Sequence, residues 1–168
     1  MLLAVSKIVI LKSYKYSIME LKIPPAVVFL IFAGLMYLLA TFLPFGYFDF
    51  FGRYYLIIFL LAFAGIVAVI ALFQFFRLRT TINPATPSKT SKLVENGIFA
   101  YSRNPMYLAL LVLLLALGIW FGNAFNTLLA AGFVGYMNRF QIIPEETVLL
   151  KLFGKEYKQY CVNVRRWF

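Results

Sequence analysis

The sequence predicts an all-α protein: a polytopic membrane helical bundle of about four transmembrane helices with a C-terminal amphipathic interfacial helix. Three observations carry this expectation. Of the 168 residues, 63% are hydrophobic and 13% charged, whereas a soluble domain carries about 45–50% apolar and about 25% charged residues. Two runs, between Lys22 and Asp49 and between Arg53 and Arg77, contain no charged side chain. Both exceed the roughly 20 residues needed to cross a bilayer. Finally, 15 of the 16 Lys and Arg residues fall on one side of a four-span arrangement: Lys7, Lys12, Lys15, Lys22, then Arg77, Arg79, Lys89, Lys92, Arg103, then Arg139, Lys151, Lys155, Lys158, Arg165 and Arg166. That asymmetry puts both termini in the cytoplasm, with Arg53 as the exception.

Taken in order, residues 1–22 are a basic extension with lysines among Ile, Leu and Tyr. They suit an interfacial helix or lie ahead of a start at Met19, and they lack a signal-peptide pattern. The remaining 23–168 form one integral membrane unit. Its first span is expected at 24–45, opened by Pro24-Pro25, and its second at 54–76. A polar, proline-containing loop follows. The third span, 105–122, is rich in leucine and breaks at Gly122-Asn123, and the fourth is expected at 124–141. Buried backbone in hydrocarbon must pair internally, so these spans are helices. Pro144 starts the last helix, on which Leu149, Phe153 and Tyr157 share one face, widened by Leu152 and Tyr160, while Lys151, Lys155 and Lys158 point elsewhere.

The net charge of +10 flanks apolar runs, so it reads as topology and not as a nucleic-acid surface. There is no histidine and one cysteine, Cys161. No internal disulfide is possible, no metal site is expected, and Cys161 reads as a bystander.

Polar residues that suit chemistry gather in two cytoplasmic stretches, 80–107 and 144–168. Asn104 before Pro105 reads as an N-cap followed by proline at the first helical position. Arg103 and Asn104 therefore sit where free backbone N–H groups and the positive helix end favour a carboxylate. Glu145 and Glu146 lie in the first turn of the last helix, where acids favour the dipole. The cytoplasmic leaflet attracts basic segments, so a pair of acids there suits a hydroxyl or cation ligand.

The pattern Gly97-Ile98-Phe99-x-Tyr101-Ser102-Arg103-Asn104-Pro105-Met106-Tyr107, then Glu145-Glu146, then Phe153-Gly154-x-x-Tyr157-x-x-Tyr160 and Val164-Arg165-Arg166-Trp167 resembles the isoprenylcysteine carboxyl methyltransferase and phospholipid methyltransferase superfamily. The resemblance runs from about Thr80 to the C-terminus. It implies a membrane-embedded enzyme using S-adenosyl-L-methionine, with Arg103 and Glu145 as catalytic residues and Gly97, Tyr101, Asn104, Pro105, Tyr107, Glu146, Tyr157 and Tyr160 around the cofactor. The implied acceptor is hydrophobic or lipid-like and enters from the lipid bilayer. The isoprenylcysteine branch has histidine where this chain has Asn104, which puts that acceptor in question. A phospholipid amine or a small thiol stands beside it. An NADPH-dependent membrane reductase and a non-catalytic scaffold are the readings outside the superfamily. No strand leads into a glycine-rich turn, so a soluble dinucleotide-type methyltransferase is not supported.

Overall fold

A computed structural model describes residues 23–43, 45–78 and 93–168. The expectations for the extension 1–22 and for loop residues 80–92 lie outside the described residues. Within them the regular elements are helical: α1 (Pro25–Phe42), α2 (Arg53–Leu78), a 3-10 turn (Gly97–Ala100), α3 (Pro105–Phe121), α4 (Asn126–Met137), a π-helical turn (Asn138–Ile142) and α5 (Ile143–Asn163).

Helix α3 is the hub, packing against α1, α2 and α4. Its apolar residues run all round, which a helix tolerates only when enclosed or in lipid. Buried Ala109, Ala116 and Gly118 let neighbours approach closely, and a Cβ on Gly118 would stand 3.3 Å from that of Asn126. The main core joins Val28 and Met36 of α1, Tyr107 and Leu114 of α3, and Phe133 and Met137 of α4. The Phe32 ring meets Phe133 edge-on at 5.7 Å.

Among the described residues, α1 and the stretch Arg53–Gln74 of α2 are long and apolar enough to cross a membrane, and α3 is a shorter apolar helix. Their outward faces stay apolar: Leu30 is 64% exposed and Ile58 63%. A soluble core helix would bury such residues, so these faces suit lipid.

The end of the bundle opposite the expected site is closed by backbone pairing. Helix α1 stops at Phe42, three residues before the expected end: Leu43 leaves helical geometry ahead of Pro44, as a residue before proline tends to, and its carbonyl accepts from Asn123 Nδ2 at 2.8 Å. The Phe48 N–H bonds the Gly122 carbonyl, and the Ala124 N–H bonds that of Gly46, each at 2.9 Å. Gly122 adopts a left-handed conformation (φ 66°) and caps α3, as glycine commonly does.

Arg53, the exception to the expected charge asymmetry, makes local contacts here. Its side chain is only 11% exposed, and its guanidinium donates to the Trp120 carbonyl in the last turn of α3. Asp49 stands 3.4 Å away but is 62% exposed, so that pair contributes little. Replacing Arg53 with Ala strips a half-buried helix end of its donor. It is expected to destabilise the detergent-solubilised protein by about 1–3 kcal/mol, read as a lower melting temperature, while Asp49→Ala changes it little.

The fourth span is predicted as 124–141 with a fresh helix at Pro144. Instead α4 covers Asn126–Met137 and continues through the π turn into α5 without a break. Proline lacks an N–H and crowds the carbonyl four residues back. Widening the ladder just ahead of Pro144 accommodates that misfit. The buried Gln141 of this turn donates to the Ile23 carbonyl at 2.6 Å, tying it to the start of α1. Helix α5 kinks at Gly154 (φ 52°, ψ −115°). Lys151, Lys155 and Lys158 are exposed, and Leu149 and Phe153 pack beside Tyr157 and Tyr160. Leu152, expected on the same face, is 45% exposed because the face it belongs to turns away from the body.

Candidate functional site

Where α3 begins and the side chains of α5 reach it, the chain assembles a polar cluster from four segments. The first is the turn Gly97–Ala100. Gly97 has φ +63°, a conformation that side chains with a Cβ resist. Phe99 and Val94 pack with Ala71 of α2, which fixes the turn against the bundle.

The chain then passes through Ser102, Arg103 and Asn104 into Pro105, the first residue of α3. Asn104 occupies the N-cap position, but its side chain makes no capping hydrogen bond. Its Nδ2 donates instead to the Arg166 carbonyl at 3.0 Å. The Arg103 N–H is likewise given to the Arg165 carbonyl at 3.0 Å, and Val164 follows α5 through its own N–H to Tyr160. The C-terminal tail therefore lies across the start of α3 and takes a backbone donor expected to be free for an anion. Trp167 Nε1 donates to Asn138 Oδ1 of the π turn at 3.1 Å, fastening the tail at its far end.

The two acids have different surroundings. Glu146 is clasped by charge: Arg166 reaches it through Nε at 2.9 Å and Nη2 at 2.7 Å, and Arg103 Nη2 stands 3.2 Å away. Such a two-point guanidinium–carboxylate grip is strong and directional. It also pushes the Arg166 pKa higher still. Glu145 accepts a hydrogen bond from the buried Tyr107 hydroxyl at 2.5 Å. Burial pushes its carboxyl up to about 8, with the Tyr107 hydrogen bond pulling it down and the Glu146 charge adding to the rise.

Arg103 is the link between segments. Its guanidinium donates to Cys161 Sγ on α5 as well as pairing with Glu146, and its buried Nε has no hydrogen-bond partner. Cys161, expected to be a bystander, touches the central arginine. Tyr157 and Tyr160 are buried beside it. Burial pushes both of their hydroxyls well above the usual tyrosine range, with Arg103 pulling the other way. The Tyr160 hydroxyl donates to the Phe99 carbonyl at 2.7 Å, which joins α5 to the turn.

Arg103, Asn104, Pro105, Tyr107, Glu145, Glu146 and Tyr157 thus converge, and Gly97 and Tyr160 meet one another through the turn that Gly97 opens. Tyr101 does not join them: it is 80% exposed. Cys161, Arg166, Trp167 with Asn138, and Gln74 against Gly97 are the neighbours that residue types alone did not single out as site residues. The tail was visible as a motif, but a motif does not say which carboxylate its arginine will grip.

Comparisons with known proteins bear on the family. The family described as phospholipid methyltransferase matches residues 52–156, more than half of the chain. That stretch contains the turn, the start of α3 and both acids, and stops short of Tyr157, Tyr160 and the tail. The chain is 48% identical over 62 residues to an uncharacterized protein of Haemophilus influenzae, which covers 37% of this chain and 98% of that protein. It is 34% identical over 77 residues to a protein-S-isoprenylcysteine O-methyltransferase of Schizosaccharomyces pombe. That match covers 46% of this chain and 33% of the other, so the chain spans about a third of that relative's length. No solved structure matches. With its family match running from the start of α2 into α5 over the clustered arginine and acids, the chain belongs to the phospholipid methyltransferase family.

Proposed function

We propose that the protein is an S-adenosyl-L-methionine-dependent methyltransferase acting on a hydrophobic or lipid-like acceptor at the cytoplasmic membrane face. In this reading α1, α2, α3 and α4 are the four spans, α5 lies at the interface, and both termini are cytoplasmic. The observation that carries it is the convergence of Arg103, Glu145 and Tyr107 at one end of an apolar bundle, inside the stretch that matches a methyltransferase family.

The donor set fits the cofactor. The unpartnered, buried Arg103 Nε is a donor suited to the carboxylate of its methionine part. Half-buried Glu145 offers an acceptor suited to a ribose hydroxyl or to a proton. When bound, S-adenosyl-L-methionine supplies a methyl group already activated on a sulfonium. The protein's own task is then to hold the partners in line, exclude water and manage one proton. Alignment alone contributes up to about 7–11 kcal/mol. Glu146, gripped by two arginines, positions Arg103. Glu145, with its raised pKa, is matched to taking a proton near neutral pH.

One observation favours an acceptor with an N–H or S–H bond over a carboxylate. Both Nη groups of Arg103 are engaged, by Cys161 and Glu146, and a carboxylate acceptor has no proton for Glu145 to take. A phospholipid amine or a hydrophobic thiol needs that base. Titrating the detergent-purified protein with S-adenosylhomocysteine by calorimetry, with NADPH in parallel, tests the reading. Micromolar binding of the first, weakened in Arg103→Ala, is expected. Binding of NADPH alone makes the chain a reductase, and binding of neither by folded protein leaves a scaffold.

A further inference from the structure

Gln74, between Phe73 and Phe75, is the last residue of the apolar stretch of α2 and lies one turn before the helix ends. An amide at the end of an apolar helix can hydrogen-bond a neighbouring segment. Gln74 Oε1 accepts the backbone N–H of Ile98 at 3.3 Å. Its amide lies so close over Gly97 that a Cβ there would stand 1.6 Å from Nε2. Gly97 is also at φ +63°, so the close approach and the backbone twist demand glycine together. One residue further on, the Phe99 carbonyl receives the Tyr160 hydroxyl from α5. The turn is therefore held from both sides, by an amide from α2 and a phenol from α5. Arg103 lies three residues beyond the turn, and the intervening Ser102 N–H bonds back to the Ile98 carbonyl at 3.2 Å.

The geometry points to Gln74 as the positioning residue that sets the Gly97–Ala100 turn, and through it the placement of Arg103 for the methyl donor. This rests on the methyltransferase reading above. It gives Gly97 and Tyr160, which the resemblance sets around the cofactor, a role in shaping the turn that needs no contact with the cofactor.

Full-length Gln74→Leu and Gln74→Glu proteins separate the possibilities, with amide exchange read on peptides spanning 93–104 and S-adenosylhomocysteine affinity read by calorimetry. Leu keeps the volume and removes the acceptor. Exchange at the turn is expected to speed up, and affinity to weaken, each by at least about fivefold. Glu keeps an acceptor oxygen and is expected to remain within about twofold on both counts. A merely structural role would lower the melting temperature of Gln74→Leu and leave the affinity of its folded fraction unchanged, which overturns the proposal, as does unchanged protection. Gln74→Asn, whose shorter arm withdraws the amide, replaces Leu if that variant does not fold. Absence of binding in the wild-type protein removes the methyltransferase reading, while the exchange arm still decides whether Gln74 holds the turn.

Discussion

Glu145→Gln is expected to lower methyl transfer to an N–H or S–H acceptor by at least about 100-fold, the range of a lost general base. The substitution keeps the shape of the side chain and an oxygen for the Tyr107 hydroxyl, so folding should survive. The pH dependence makes the prediction specific. Burial holds the Glu145 carboxyl up to about 8, against an ordinary value of 4.5. The base form of the free protein therefore appears as pH rises through about 8, and kcat/KM should rise over that interval in the wild type and be flat in Glu145→Gln. Stability moves in the opposite direction. The folded protein keeps a proton that the unfolded chain releases, so this group's contribution is fully present below pH 4.5 and is lost as pH rises through 8. Melting temperature measured from pH 5 to 9 should fall more steeply in the wild type than in Glu145→Gln. A flat kcat/KM profile in the wild type, or activity in the variant within threefold of it, removes Glu145 as the base.

The other large effect is expected from Glu146→Ala. Arg103 and Glu146 are 11% and 16% exposed at their side chains, so removing the carboxylate leaves a guanidinium with little water and no counter-charge. Breaking one side of a buried pair costs about 3–5 kcal/mol. The Arg166 arm is 39% exposed and rehydrates, so the lower end of that range is expected. Loss of S-adenosylhomocysteine binding should accompany it, because Arg103 loses its anchor and the tail loses its grip on α5. Arg166→Ala separates the two consequences. It leaves Arg103 paired with Glu146, so it should destabilise less and weaken binding less than Glu146→Ala. Equal thermal stability of Glu146→Ala and wild type would mean that the cluster is solvated and that the arginines carry no structural charge.

Much of this arrangement is legible in the chain itself. Helical character follows from long runs without charge, because backbone groups in an apolar environment have only each other to pair with. The ends of α3 are legible to within a residue, since Pro105 and Gly122 act through local backbone geometry. The two polar stretches are legible too, because the segment before Pro105 and the acid pair at 145–146 stand out against the apolar runs beside them. Partnership is not legible. Which of two adjacent acids grips an arginine depends on where the tail and the start of α3 bring Arg166 and Arg103. The π turn of five residues, which lets the chain pass Pro144 without breaking, was invisible to hydrophobic periodicity. Asn104 is another such case: the sequence marks it as a cap, but the tail arriving from more than sixty residues away offers its amide a better partner. Composition and spacing by themselves determined that this is a helical, lipid-suited chain with its polar chemistry at one end. Tertiary structure alone decided that Glu146 is spent on arginines and Glu145 is left with a tyrosine and a raised pKa, because burial and charge pairing are properties of side chains brought together from distant parts of the chain.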